Sequence, residues 1–223
     1  MDTARKPGGF FITFEGPEGG GKSTQVHRLA ATLADRGYSV WTTREPGGTR
    51  VGEMIRPILL GRQHARMTPW SEALLFTAAR AQHVEEVIRP RLERGEIVLC
   101  DRYSDSTIAY QGYGRGLDLE TLRRLQDQAT GGLRPDLTVL LNLPVETGLS
   151  RIPRPAQDRL DREAAAFHRR VRAGYQEMAA ADRSRWREVD AAADEDQVAR
   201  RILEVVSDAL QQAGVRPVQQ RTA

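Results

Sequence analysis

Gly16 to Ser23 read GPEGGGKS: a glycine, four residues, then Gly-Lys-Ser. The spacing is that of a phosphate-binding loop, and each residue type in it has a physical reason. Glycines let backbone N–H groups turn inward around phosphate oxygens, the Ser23 hydroxyl is placed to ligate magnesium, and the slim Lys22 ammonium reaches between terminal phosphates. Lys22 is one of two lysines in a chain with 33 basic residues. A planar guanidinium has the wrong shape for that position. The candidate triphosphate site is therefore Gly16, Pro17, Glu18, Gly19, Gly20, Gly21, Lys22, Ser23 and Thr24.

The flanks supply the context the motif demands. Phe10 to Phe14 form a short apolar run that ends at Glu15, and Thr24 to Ala34 carries Val26, Leu29, Ala30 and Leu33 at helical spacing. Strand, glycine-rich turn and helix follow one another. Further apolar runs at 38–41, 97–100, 137–143 and, more weakly, 186–189 alternate with helical periodicity at roughly 51–60, 71–94, 104–110, 119–130, 145–151, 160–181 and 196–213. This alternation predicts an α/β fold, a parallel sheet covered by helices on both faces. Ligands in such folds sit at the carboxyl ends of the strands.

With 223 residues the chain suits one domain, expected over 10–213 with flexible ends at 1–9 and 214–223. A net charge of +3 with 28% charged residues gives no footprint for nucleic acid. No apolar run approaches the ~20 residues of a membrane span, and residues 1–9 lack the hydrophobic stretch of a secretory signal. A soluble, cytoplasmic protein is expected. Cys100, the only cysteine, excludes an intrachain disulfide and any CxxC metal site.

Several residues just past the apolar runs carry chemistry. A guanine-specific switch protein normally shows Asn-Lys-x-Asp, but the single asparagine here, Asn142, is followed by Leu143. After the 97–100 run comes Asp101-Arg102-Tyr103. Asp101 is placed to hold magnesium opposite Ser23, and Arg102 to aim a guanidinium at the same phosphates. At 100° per residue, Leu74, Ala78, Ala81, Ile88 and Leu92 form one apolar stripe of 71–94, with Phe76, Arg80 and His83 on roughly the opposite side. An aromatic ring four residues before a guanidinium suits a flat base, one group stacking and the other donating to a ring carbonyl. A helix buried on two sides, with Arg80 in a structural ion pair, fits the same spacing. A helix over 104–110 would place Tyr103, Thr107, Tyr110 and Gln111 on one face. That face suits either a polar ligand or ordinary tyrosine packing.

DRYSDSTIAYQG at 101–112, TREPGGT at 43–49 and LLFTAARAQH at 74–83 resemble the corresponding motifs of bacterial thymidylate kinases, and the resemblance runs over about 10–210. It implies a P-loop NTPase fold with a five-stranded parallel sheet. It also implies transfer of the terminal phosphoryl group of ATP to dTMP with Mg²⁺, giving dTDP and ADP in dTTP synthesis for DNA replication, by a homodimer. By the same resemblance Phe76, Arg80, Thr107 and Gln111 bind the base and Tyr110 lies beside the deoxyribose. Arg56 and Arg102 clamp the acceptor phosphate, Glu45 and Pro46 shape the pocket, and Glu18 lies near the sugar and the magnesium shell.

SRIPRPAQDRLDRE at 150–163 resembles the family's lid, about 150–162, with two prolines that forbid a continuous helix. In that family a basic residue sits in the loop or in the lid. Gly19 leaves the loop without one, so the resemblance sends the charge to the lid, with Arg159 the best match and Arg151 and Arg154 assisting. The implied catalytic set is Lys22, Arg102, Arg159 and Glu18. Asn142 stands where relatives commonly have Asp and cannot supply a negative charge to a metal, and 190–194 should form the turn under adenine. Two other readings stay open: another P-loop nucleotide or nucleoside kinase, and a nucleotide-binding module without catalysis.

Overall fold

Parallel pairing of the apolar runs builds the sheet. In the computed structural model, which describes residues 8–218, β1 (Phe10–Glu15), β2 (Val40–Arg44), β3 (Ile97–Asp101), β4 (Leu137–Asn142) and β5 (Trp186–Asp190) form one sheet in the order β2-β3-β1-β4-β5. Every described pair is parallel. The helices are α1 (Lys22–Asp35), α2 (Arg50–Leu60), α3 (Pro69–His83), α4 (Arg89–Glu93), α5 (Ser104–Thr107), α6 (Leu119–Thr130), α7 (Val145–Ser150), α8 (Ala165–Ala181) and α9 (Glu195–Gln212). β1 lies at the centre and is buried along its whole length. Its period-two alternation sends Phe10, Ile12 and Phe14 into a core with α1 and α9, and Phe11 into a second core with Val84, Ile88, Leu92 and Tyr103 on the other face.

Several expected boundaries move for local reasons. The helix expected over 160–181 starts only at Ala165. Before it, Asp158 Oδ1 accepts from the Leu160 and Asp161 amides and Asp161 Oδ2 accepts from the Asp158 amide, a turn that competes with helix. The helix expected over 104–110 is α-helical only to Thr107 and continues as a π-helical stretch, Ile108–Gly114, in which the Arg115 amide reaches back to the Tyr110 carbonyl. Of the expected flexible ends, 1–7 and 219–223 lie outside the described residues. Within 214–218, the Val215 amide donates to Leu210 and the Val218 amide to Gly37, so this segment packs against the turn before β2.

The apolar stripe read over 71–94 splits: on α3 it faces outward, with Leu74 52% exposed and Ala78 exposed too, whereas Ile88 and Leu92, at the end of and beyond a π-helical stretch at Val84–Ile88, are buried. The buried side holds Glu72, Ala73, Thr77, Arg80 and His83. Polar groups can occupy it because each is paired, Thr77 with Ala73 and Gln126, and Arg80 and His83 with Glu45.

Glu15, the last residue of β1, ties this frame to the loops above it. Its carboxylate is fully buried and accepts from the Tyr103 amide (2.8 Å), the Ser106 hydroxyl (2.5 Å) and the Tyr175 hydroxyl (2.9 Å). One group thus joins the central strand, the turn after β3, α5 and α8. Burial, helped by the nearby Asp105 charge and opposed by Arg102, pushes its pKa up from 4.5 to about 7. The folded state therefore holds a proton that the unfolded chain releases, so this group's contribution is full below 4.5 and lost as pH rises to about 7. Across that interval the thermal midpoint of the wild type should fall relative to that of Glu15→Gln. A difference between the two that does not change with pH would contradict the assignment.

Candidate active site

At the carboxyl ends of β1 and β3 a cleft of about 350 Å³ brings together the phosphate loop, the turn after β2, α2, α3 and the segment after β3. Its floor is the loop itself. Gly16 sits at φ 135°, and a Cβ there would meet the Leu141 carbonyl at 2.3 Å. Gly19 sits at φ 69°, and a Cβ there would meet the Gly148 carbonyl of α7 at 2.0 Å. The backbone thus leaves no room for a side chain at either position. Lys22 folds back to donate to the Gly16 (3.2 Å) and Pro17 (2.8 Å) carbonyls. Burial, with Arg102 nearby, lowers its pKa to about 8 despite the acidic groups around it.

Beside the lysine the Ser23 hydroxyl donates to Asp101 Oδ2 at 2.5 Å. The two oxygens read separately from the sequence therefore converge. Among the described residues no group of three or more His, Cys, Asp or Glu is arranged to hold a metal. A hydroxyl and one carboxylate fit the hard, largely water- and phosphate-bound coordination of Mg²⁺. Asn142 takes no part: its amide donates to Glu188 and accepts from Arg172.

Arg102 is the electrostatic centre. It is the one non-glycine residue at positive φ among the described residues (70°), a conformation costing about 1–2 kcal/mol. In return its amide meets the Phe14 carbonyl at the end of β1, and its guanidinium turns into the cleft. Nη1 donates to the Gly16 carbonyl, the Ser106 hydroxyl and the Tyr175 hydroxyl, while Nη2 donates to Glu18 (2.8 Å) and the Tyr110 hydroxyl (3.1 Å). Tyr110 in turn donates to Glu18 at 2.6 Å. Burial pushes the Glu18 carboxyl up, but Arg102, Lys22 and the Tyr110 hydroxyl outweigh it and bring the pKa to about 2. Glu18 is an anion at working pH.

The far end of the cleft is lined by Glu45, Pro46, Arg56, Leu60, Phe76, Thr107, Tyr110 and Gln111. Arg56 reaches across from α2 to the Pro46 carbonyl at 2.6 Å, and burial together with the Arg44 charge lowers its pKa. Phe76 packs on the cluster that holds Tyr110, Phe167 and Leu160. A flat apolar face thus opposes a hydroxyl and an amide, which suits a planar heterocycle with polar edges.

Three expected site residues are placed elsewhere. Arg80 is 1% exposed and lies behind the wall, donating to Glu45, Thr107, Gln126 and the Tyr103 carbonyl. It orients Glu45 and Thr107, and the alternative reading of its spacing, a structural ion pair, describes it. Tyr103 does not share the Thr107 face: it precedes α5 in extended conformation, packs edge-on against Phe11 at 5.0 Å and donates to Leu133. Arg159, read as the principal lid charge, is buried in an ion pair with Glu72 (2.5 Å), its Nε donating to Leu59. Its partners, Glu72 and the Leu59 and Leu60 carbonyls, belong to α3 and α2 rather than to the phosphate loop. Arg151 does reach that loop, donating to Gly19 and to Ala191 in the turn after β5, whereas Arg154 is exposed. Ser106, Leu60, Asp158 and Leu160 line the cleft and were not singled out by the sequence. Ser106 and Asp158 lie inside the quoted motifs, but nothing in their spacing separates them from their neighbours.

A family model described as thymidylate kinase matches residues 14–202. The chain is 56% identical over 210 residues to the thymidylate kinase of Thermomicrobium roseum, covering 93% of this chain and 99% of that relative. It is 54% identical over 194 residues to that of a Roseiflexus species, covering 81% and 86%. The crystal structure of thymidylate kinase from Ehrlichia chaffeensis superposes with a TM-score of 0.73 at 35% identity, covering 90% of this chain and 99% of that one.

Proposed function

The chain belongs to the thymidylate kinase family, and we propose that the cleft at the carboxyl ends of β1 and β3 carries out that family's reaction, transfer of the terminal phosphoryl group of ATP to dTMP. The observation that carries the reading is the two-ended site: a phosphate loop at one end, a planar apolar wall with polar edges at the other, and Arg102 between them. A nucleotide switch without an acceptor has no use for the second end.

Lys22 and the loop amides hold the donor phosphates, and Arg56 and Arg102 hold the acceptor phosphate. Phe76 stacks on the base, with Thr107 and Gln111 at its polar edge and Tyr110 beside the sugar. Glu45 and Pro46 shape the acceptor pocket. Glu18 balances Arg102 and keeps its fork aimed into the cleft. The attacking group is already a phosphate oxygen anion, so no side chain is needed as a base, and alignment plus charge neutralisation lower the barrier. Ser23 and Asp101 would hold Mg²⁺, which supplies charge neutralisation on the donor phosphates. Arg151 is the lid arginine best placed to join the donor end, through its contact with Gly19.

The same reading includes a homodimer. Val51, Met54 and Ile58 on α2 and Trp70 and Leu74 on α3 are 40–67% exposed, an outward apolar face across two packed helices. A second copy of this chain is its occupant, meeting it face to face in a closed symmetric contact. No described helix is long and apolar enough to cross a membrane.

ADP release should depend on an added acceptor and be fastest with dTMP in a panel with dUMP, dGMP and thymidine. Lys22→Ala should lose about 10²–10³-fold in turnover, while Phe76→Ala should chiefly raise the KM for dTMP, by about tenfold. Wild-type turnover in Lys22→Ala would overturn the assignment. In sedimentation the wild type should run at twice its 24.9 kDa chain mass, and Met54→Glu with Leu74→Glu should run as a folded monomer. A wild-type monomer would remove the dimer.

A further inference from the structure

Glu72, in the first turn of α3, is fully buried and lies outside the cleft. A buried carboxylate must be paired, and the identity of its partners shows what it serves. Its oxygens accept from Gln111 Nε2 (2.8 Å) and from Arg115 Nε and Nη2 (3.1 Å each), and the same carboxylate forms an ion pair with Arg159 Nη2 (2.5 Å). Burial raises its pKa, but Arg115, Gln111 and Arg159 outweigh that and hold it below the ordinary range. The group is a fixed anion between two arginines.

These partners belong to opposite sides of the site. Gln111 lines the base end of the cleft. Arg159 belongs to the lid segment, and its amide and Nε clasp the Leu60 and Leu59 carbonyls at the end of α2. Its chain neighbours Asp158 and Leu160 line the cleft. Leu160 is buried in the cluster that holds Tyr110, with Phe76 and Leu60 packed against it. Arg115 extends the connection to Glu163, at the far end of the lid, at 2.6 Å. The lid therefore meets the acceptor end through the Leu160 contact, the Arg159 bonds to the end of α2, and one carboxylate, Glu72, which alone also holds Gln111.

We propose that Glu72 is a positioning residue that couples the acceptor pocket to the lid, so that ordering Gln111 against a bound nucleoside monophosphate orders Arg159 and with it Asp158 and Leu160. The proposal rests on the reading of the far end as the acceptor site. Glu72→Gln keeps the shape and an acceptor for Gln111 but leaves Arg159 without its counter-charge and Arg115 with Glu163 alone. The coupling is then broken at the lid while the pocket wall stays in place.

Amide hydrogen exchange of the full-length protein, with and without saturating dTMP, separates the outcomes. In the wild type dTMP should slow exchange both at 106–111 and at 157–163. In Glu72→Gln the slowing at 106–111 should remain and that at 157–163 should be lost, with a KM for dTMP raised about tenfold and kcat changed far less. If Glu72→Gln does not fold, Arg159→Met removes only the lid end and must give the same split. Undiminished lid protection in the folded variant overturns the proposal. If dTMP slows exchange nowhere in the wild type, the acceptor assignment fails, and this inference with it.

Discussion

The ion pair between Arg102 and Glu18 is the contact on which the rest of the site depends. It joins the turn after β3 to the phosphate loop, and its two residues are held from opposite directions. Glu18 is fixed by a loop in which Gly16 and Gly19 leave no room for a side chain, and Arg102 by a backbone at φ 70° that is anchored to the end of β1. Strain of that kind persists only where its surroundings over-determine it. Here they are the Ser106, Tyr110 and Tyr175 hydroxyls, two of which, Ser106 and Tyr175, also donate to the buried Glu15. The fork is thus preorganised by neighbours that are themselves locked to the central strand, and little reorganisation is left for the moment of phosphoryl transfer.

The same logic accounts for the polar underside of α3. Glu72, Arg80 and His83 are buried along one helix, and each is matched to a partner from a different element: the lid, the turn after β2, or the stretch after β3. An apolar side on α3 would pack as well but would specify none of those loops. Removing Glu45 leaves the Arg80 guanidinium buried without a counter-charge, which costs about 3–5 kcal/mol.

Much of this was legible in the sequence. GPEGGGKS with its apolar run and its helix fixed the loop, β1 and α1, because glycine spacing and strand-to-helix periodicity are local properties. Ser23 with Asp101, and Arg56, Phe76, Arg102, Thr107, Tyr110 and Gln111 around one cleft, followed from strand-end placement and motif resemblance. What failed depended on partners far along the chain. Periodicity showed two faces on α3 but not which one lay inside, because nothing local says that Glu45 and Gln126 wait for Arg80. Arg159 in its DRL triplet carried no mark of Glu72, 87 positions earlier, and the π-helical turn at 108–114 is invisible to a test at 100° per residue.

The central claim is that Arg102, held at positive φ against Glu18, recognises the acceptor phosphate. The most direct measurement is the affinity for dTMP relative to thymidine in the wild type and in Arg102→Gly, a substitution that suits the backbone at that position. The ratio within one protein cancels any change in fold or in base binding. The account predicts a strong preference for dTMP in the wild type that falls at least about tenfold in the variant. An unchanged preference would contradict it.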